Sequence, residues 1–352
     1  MYTRKIQAPI DSPVQNKKPV VGTWTAAFKK VDLLDIERPY SIPLPRWMRD
    51  LRIKEWQSFF IQNDDMYFGA FIANLKYFRF IAATFYNKKT DAAPVSYFDY
   101  FPLSFWNLPK TLSDSVVFCR APGYFITIHD WLDASLINLD LNIESSGGHP
   151  SINALFELCA DSKKSTPMAV NLLYSEESCL YTYKTFVPAR GNLKLGDQDD
   201  YTFLPEYTTG IFCDGKGIFP YITHSTWISG SGFDKKNRRI GFALGENQAK
   251  GANRDNENAL WIDGELTLLP PVRITQAGSS EDEWVIEDIE GMIDLTFTPK
   301  HQTEIKSFTL IISKAEFHNP IGTFNGFLMS KDGEKIDIHN LFGCVERLYL
   351  RL

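Results

Sequence analysis

The stretch FGCVERLYLRL (342–352) puts a carboxylate among apolar residues. Read as a strand, it places Cys344, Glu346, Leu348 and Leu350 on one face and Val345, Arg347, Tyr349 and Arg351 on the other. Three more charged residues sit in similar company. Arg79 alternates in phase with Tyr77, Ile81, Ala83 and Phe85; Glu55 shares a face with Ile53, Phe59 and Ile61; Glu257 stands just ahead of Ala259-Leu260-Trp261. An unpaired buried charge is strongly unfavourable, so each of these either pairs across a sheet, for example Glu with Arg79 or Lys54, or serves a purpose. The purpose open to a desolvated carboxyl is general acid chemistry, because burial raises its affinity for the proton. His224 joins them as a candidate: it lies between Tyr221 and Trp227 in PYITHSTWISGSG, where aromatic walls would shift its charge equilibrium if it were buried.

Other chemistries lack their residues. The nearest approach to a nucleophile elbow, WISGSGFD at 227–234, has Ser231 between two glycines at the wrong spacing and reads as a turn; dinucleotide and phosphate loops are missing too. Five scattered cysteines with no Cys-x-x-Cys pair and six histidines with no i, i+4 pair give neither a disulfide framework nor a metal site, and no cofactor is expected. A formal net charge of −6 and the absence of a long basic run argue against nucleic-acid binding. The densest basic patch, KKNRR at 235–239, reads as a hairpin tip.

The elements that must position these groups are strands. Ile137, Leu139, Leu141 and Ile143 alternate with Asn138, Asp140, Asn142 and Glu144, and Ile293, Leu295 and Phe297 alternate with Asp294, Thr296 and Thr298. Aromatic residues make up 14%, enough either to fill β cores or to wall a wide apolar cavity. Asp-Gly pairs at SKDGEK (330–335), DGKG (214–217) and IDGEL (262–266) read as hairpin turns. Helical periodicity is weak. Over Trp47–Trp56 a helix competes with a strand through Glu55–Ile61. The pattern predicts an all-β protein of sandwiches or barrels in two domains. Residues 1–21 form a flexible arm, and the polar stretch GNLKLGDQDD (191–200) is the seam between domains 22–195 and 196–352. No window offers a long uninterrupted apolar run, so the expectation is a protein without integral membrane segments, cytoplasmic, and monomeric or homodimeric.

The ordered segments RIKEWQSFFIQND (52–64), YTYKTFVPARGNL (181–193), CDGKGIFPYITHSTWISGSG (213–232), NENALWIDGELTLLPPVRI (256–274), WVIEDIEGMIDLTFTP (284–299) and NPIGTFNGFLMSKDGEKIDIHNLFGCVER (319–347) together resemble a bacterial family described as domain of unknown function 2804. The most specific part is Asp214…Gly217…Trp227 followed by Glu257-Asn258-Ala259-Leu260-Trp261 and Asp263-Gly264. That family is similar to a broader group of paired lipocalin-like proteins, including AttH-type proteins, carotenoid 1,2-hydratases and tocopherol-cyclase-like proteins. The resemblance implies two lipocalin-like antiparallel β-barrel or sandwich domains packed side by side with little helix, and an apolar pocket for an isoprenoid, polyketide or lipid-like molecule. It carries over no catalytic residue.

Residues and resemblance together lead to a lipophilic small molecule as partner. An enzyme of this kind would be a cofactor-free hydratase, isomerase or cyclase, with Glu346 or Glu257 as acid, His224 or Asp214 as its hydrogen-bond partner, and Trp227, Trp261 and Trp56 as walls that steady a developing cation. Glu55, Arg79, Asn258 and Tyr221 complete the expected ligand site. The alternatives are a non-catalytic carrier of the same ligand and a purely structural or interaction protein. A continuous cavity of roughly 300 Å³ would favour a ligand; filled interiors would not.

Overall fold

The structure is a computed structural model that describes residues 2, 4–40, 42–102, 106–176, 178–197, 199–251, 255–276, 283–301, 306–309 and 314–351. Its strands form two curled antiparallel sheets, one a nearly closed barrel and the other a half-barrel, in the manner of two lipocalin-like domains. The first sheet runs from Val95–Phe101 through Arg79–Asn87, Met66–Asn74, Ile53–Gln62, Thr209–Ile218, Cys179–Leu195, Ile152–Cys159, Leu136–Ile143 and Tyr124–Trp131 to Ser115–Ala121. The second is centred on Ile222–Phe233, Lys335–Arg351 and Ile321–Met329.

One 17-residue strand bends each sheet. In the first, Cys179–Leu195 pairs early with Met168–Leu173 and Thr209–Ile218, and late with Ile152–Cys159 and Asp199–Phe203. At its corner Gly191 is required by space, since a Cβ there would lie 2.2 Å from the Leu155 carbonyl oxygen. In the second, Lys335–Arg351 pairs with Ile321–Met329 and then with Lys314–His318.

Alternation along the strands sorts apolar side chains into separate cores. Phe59 and Ile61 point into the first barrel, whereas Trp56 and Phe60 point outward to the second sheet. Likewise Ile228 and Val345 face the half-barrel interior, and Trp227, Cys344 and Leu350 face the first barrel. Central strands are therefore buried on both faces, and the layer between the sheets is a core in its own right, holding Phe80, Phe186, Trp261 and Phe342.

The alternating segments predicted around 137–144 and 293–298 are the strands Leu136–Ile143 and Ile293–Pro299. IDGEL is the turn between Ala259–Ile262 and Glu265–Leu268, with Asp263 and Gly264 at φ 49° and 86°, the left-handed geometry that such a two-residue turn needs. KKNRR covers the hairpin after Ile222–Phe233, where Arg238 is bound to Asp234 and Glu334.

Other expectations need correction. DGKG is no turn: residues 214–217 lie inside the buried strand Thr209–Ile218. Their glycines make room for rings, because a Cβ on Gly215 would be 2.2 Å from Trp56 and one on Gly217 2.8 Å from Phe219. The helix and strand that competed over 47–61 both exist in succession, as Arg46–Arg52 and Ile53–Gln62. In chain order, the strands of the first sheet end at Ile218 and those of the second begin at Ile222. Before Gly22, buried Arg4 donates to the carbonyl and side-chain oxygens of Asn256, and the Trp24 indole donates to the Ala8 carbonyl at 3.0 Å. Among the described residues no helix is long and apolar enough to cross a membrane.

Candidate functional site

Four side chains, three from different strands and one from the segment before Ala259–Ile262, converge where the sheets meet. Lys184, on the bent strand of the first sheet, reaches Glu257 with Nζ 2.9 Å from Oε2. Glu257 is fully buried, and its Oε1 accepts from the Trp227 indole at 2.8 Å and from Asn247 Nδ2 at 3.0 Å. Gly245 leaves room for this carboxylate, since a Cβ there would come within 2.9 Å of Oε1. Trp227 is the cross-strand partner of Glu346.

Glu346 contrasts with Glu257. It is partly buried, and no described residue donates a hydrogen bond to it. Loss of water around its carboxyl pushes it up to about 7, against the pull of the Lys184 charge and with a smaller push from Glu257. One buried carboxylate is thus neutralised by an ion pair, and its neighbour holds its proton near neutral pH.

The space in front of Glu346 is apolar. Trp56, Phe71, Phe98, Phe219, Trp227 and Phe317 wall it, with the Trp56 ring 6.0 Å from Trp227 and 6.2 Å from Phe219. Its free volume is about 60 Å³, short of the roughly 300 Å³ set above as favouring a ligand, so the size of the cavity does not itself argue for one and a polycyclic guest must displace some of these rings. At one side of the cavity stands Lys54, whose Nζ donates to the Leu51 and Leu75 carbonyls at 2.7 and 3.0 Å; burial drives its proton affinity well down.

The remaining candidates are elsewhere. Asp214 and Glu55 point into the first barrel, on the face of their strands opposite to Trp56. There the Gln57 amide bridges Asp130 (2.9 Å) and Asp214 (3.2 Å), while Lys216 lies 3.5 Å from Glu55 and Lys76 binds Glu55 at 2.8 Å. Desolvation raises Asp214 and takes Asp130 up to about 7. Arg79 caps backbone carbonyls of Trp106 and Lys76 in the same region. His224 is exposed on the other face of the Trp227 strand, its ring tilted against Tyr349 with centroids 5.0 Å apart. Trp261 is buried between the sheets but does not line the cavity; its indole donates to the Thr166 carbonyl at 2.8 Å. Asn258 ties Gly245 N–H to the Pro270 carbonyl, and Tyr221 is 55% exposed. Of the predicted residues, Glu346, Glu257, Trp227 and Trp56 come together. Lys54, expected to pair with a glutamate, instead binds backbone carbonyls, and Lys184 is not among the expected residues, although it interrupts the apolar run CLYTYKTFV just as Glu346 interrupts its own.

The model of the family described as Domain of unknown function (DUF2804) matches residues 16–352. The chain belongs to the DUF2804 family. This DUF2804 protein is also similar to the crystal structure of kievitone hydratase from Nectria haematococca, with 13% identity over 84% of this chain and 88% of that one and a TM-score of 0.52. That likeness shows a shared fold. A crystal structure of CghA with Sch210972 is similar at 12% identity, covering 84% and 87% of the two chains with a TM-score of 0.49. No curated protein matches the sequence of this DUF2804 member.

Proposed function

We propose that this protein binds a lipophilic alkene between its two sheets and acts on it without a cofactor, with Glu346 as general acid. The observation that carries the reading is the unpaired Glu346 carboxyl, held near neutral proton affinity beside an aromatic-walled cavity. In the protonated form it transfers its proton to an alkene carbon; the electron pair of the double bond forms the new C–H bond and leaves a cation on the other carbon. The faces of Trp56, Trp227 and Phe219 lie where such a cation would be steadied. Addition of water, whose surplus proton returns to the Glu346 carboxylate, gives a hydratase. Return of a proton from the neighbouring carbon to Glu346 gives an isomerase, and attack by a second double bond, with the new cation then losing a proton to Glu346, gives a cyclase.

The Lys184–Glu257 pair fits a supporting role. Its ammonium favours the carboxylate that remains after proton transfer, while Glu257 keeps Lys184 from quenching Glu346 outright. A hydratase among the structures of like fold supports the hydratase variant of this reading.

The test is native mass spectrometry of freshly purified protein with organic extraction, followed by incubation of the extracted compound with wild type and Glu346→Gln. Turnover by wild type alone supports the proposal. Binding without conversion supports a non-catalytic carrier instead, and equal conversion by both proteins rules out Glu346 as the acid.

A further inference from the structure

Glu346 stands between two spaces rather than at the end of one. A second, narrower space of about 40 Å³ shares Phe60, Phe71, Ala82, Asn319 and Glu346 with the first. Its own walls include Tyr67, Gly69, Thr84 and Cys344. Gly69 and Thr84 are cross-strand partners, and Ala82 lies two residues before Thr84 on the same face, so three small residues on adjacent strands open this space. Tyr67 bounds it: a Cβ on Gly69 would be 2.9 Å from the Tyr67 hydroxyl, and the Tyr67 ring packs 5.3 Å from Phe342. The two spaces differ in kind. The first offers indole faces and the cations Lys54 and Lys184; the second offers small side chains, the Tyr67 and Thr84 hydroxyls and the Asn319 amide, and no cation.

Resting on the ligand reading above, we infer that the ligand is a two-armed lipophilic molecule that straddles Glu346, with a ring-bearing or conjugated arm against Trp56 and Trp227 and a short uncharged arm in the space beside Ala82 and Thr84. Flat π-systems gain most from stacking on indoles, and a narrow space without a cation, walled by Ala82 and Ile321 as well as by the Tyr67 and Thr84 hydroxyls and the Asn319 amide, admits a short uncharged chain. The bond acted on lies at the junction of the arms, beside the acid.

Calorimetric titration with 4-alkylphenols bearing chains of one to eight carbons tests this. In wild type, affinity rises by about fourfold per added methylene until the second space is full, and then stops rising. Ala82→Phe at the junction and Thr84→Leu in the far space each shorten the chain length at which the rise stops, and Glu346→Gln leaves that length unchanged. Thermal unfolding shows which of the two space-filling variants is folded. The same length profile in a folded Ala82→Phe or Thr84→Leu as in wild type overturns the inference while leaving a ligand between the sheets intact. Failure of every alkylphenol to bind wild type overturns the ligand reading and this inference together.

Discussion

Lys184 and Glu257 form a buried ion pair across the two sheets, with Nζ and Oε2 2.9 Å apart. Lys184 belongs to the barrel, and Glu257 precedes the strand Ala259–Ile262 of the half-barrel, so the pair both fastens the sheets and sets the field around Glu346. Breaking it from one side strands a charge in the core. Lys184→Met is therefore expected to lower the unfolding free energy by about 3–5 kcal/mol, and Lys184→Met with Glu257→Gln to recover most of the loss. Urea unfolding of the two variants checks this; a single variant as stable as wild type would contradict it.

Stability should fall as pH rises through neutrality. Glu346 and Asp130 both hold protons more tightly in the folded protein, at about 7 against ordinary values of 4.5 and 3.8. Their contribution is fully present below the unfolded values and is lost as pH climbs toward 7. At about 1.36 kcal/mol per pH unit for each group, unfolding free energy measured by urea at constant ionic strength is expected to drop, between pH 5 and pH 8, by about 5 kcal/mol more in wild type than in a protein lacking both carboxyls. The double variant Glu346→Gln/Asp130→Asn should show a flatter profile.

Gly215 holds Trp56 in the cavity wall by having no side chain. Gly215→Ala places a methyl group 2.2 Å from the indole and must push the ring or the strand aside. The expected cost is about 1–3 kcal/mol, with a shift in tryptophan emission. An unchanged emission spectrum and melting temperature would show that the ring is not confined in this way.

Two tryptophans that look equivalent in sequence should separate by experiment. Trp227→Phe removes a cavity wall and a donor to Glu257, and should weaken 4-alkylphenol binding by roughly tenfold. Trp261→Phe removes a donor to the Thr166 carbonyl in the filled core, and should cost about 1–3 kcal/mol of stability with binding little changed. Calorimetry and urea unfolding of the pair distinguish the roles.

The strand pattern and the odd carboxylate were legible because period-two alternation is a local property: Leu136–Ile143 and the face shared by Glu346, Leu348 and Leu350 follow from the residues alone. What alternation cannot say is which of two apolar layers a face joins. Glu55 and Trp56 are adjacent, both in a strand buried on each side, yet one points into the barrel and the other to the second sheet. His224 failed for a related reason, as its odd spacing from Trp227 puts it on the opposite face. Asp214-Gly215 carried a turn signal because glycine serves turns and close approaches alike, and only the neighbouring ring, distant in sequence, decides between them. Asn258 resembled a ligand group and is wired to backbone that folding alone brings near.

The protonation of Glu346 tests the central claim most directly. Infrared difference spectra of wild type against Glu346→Gln, both carrying Asp130→Asn, isolate its carboxyl band. The account predicts a protonated carboxyl at pH 6 that is lost with a midpoint near 7. A midpoint between 4 and 5, the range of a solvated glutamate, would contradict it.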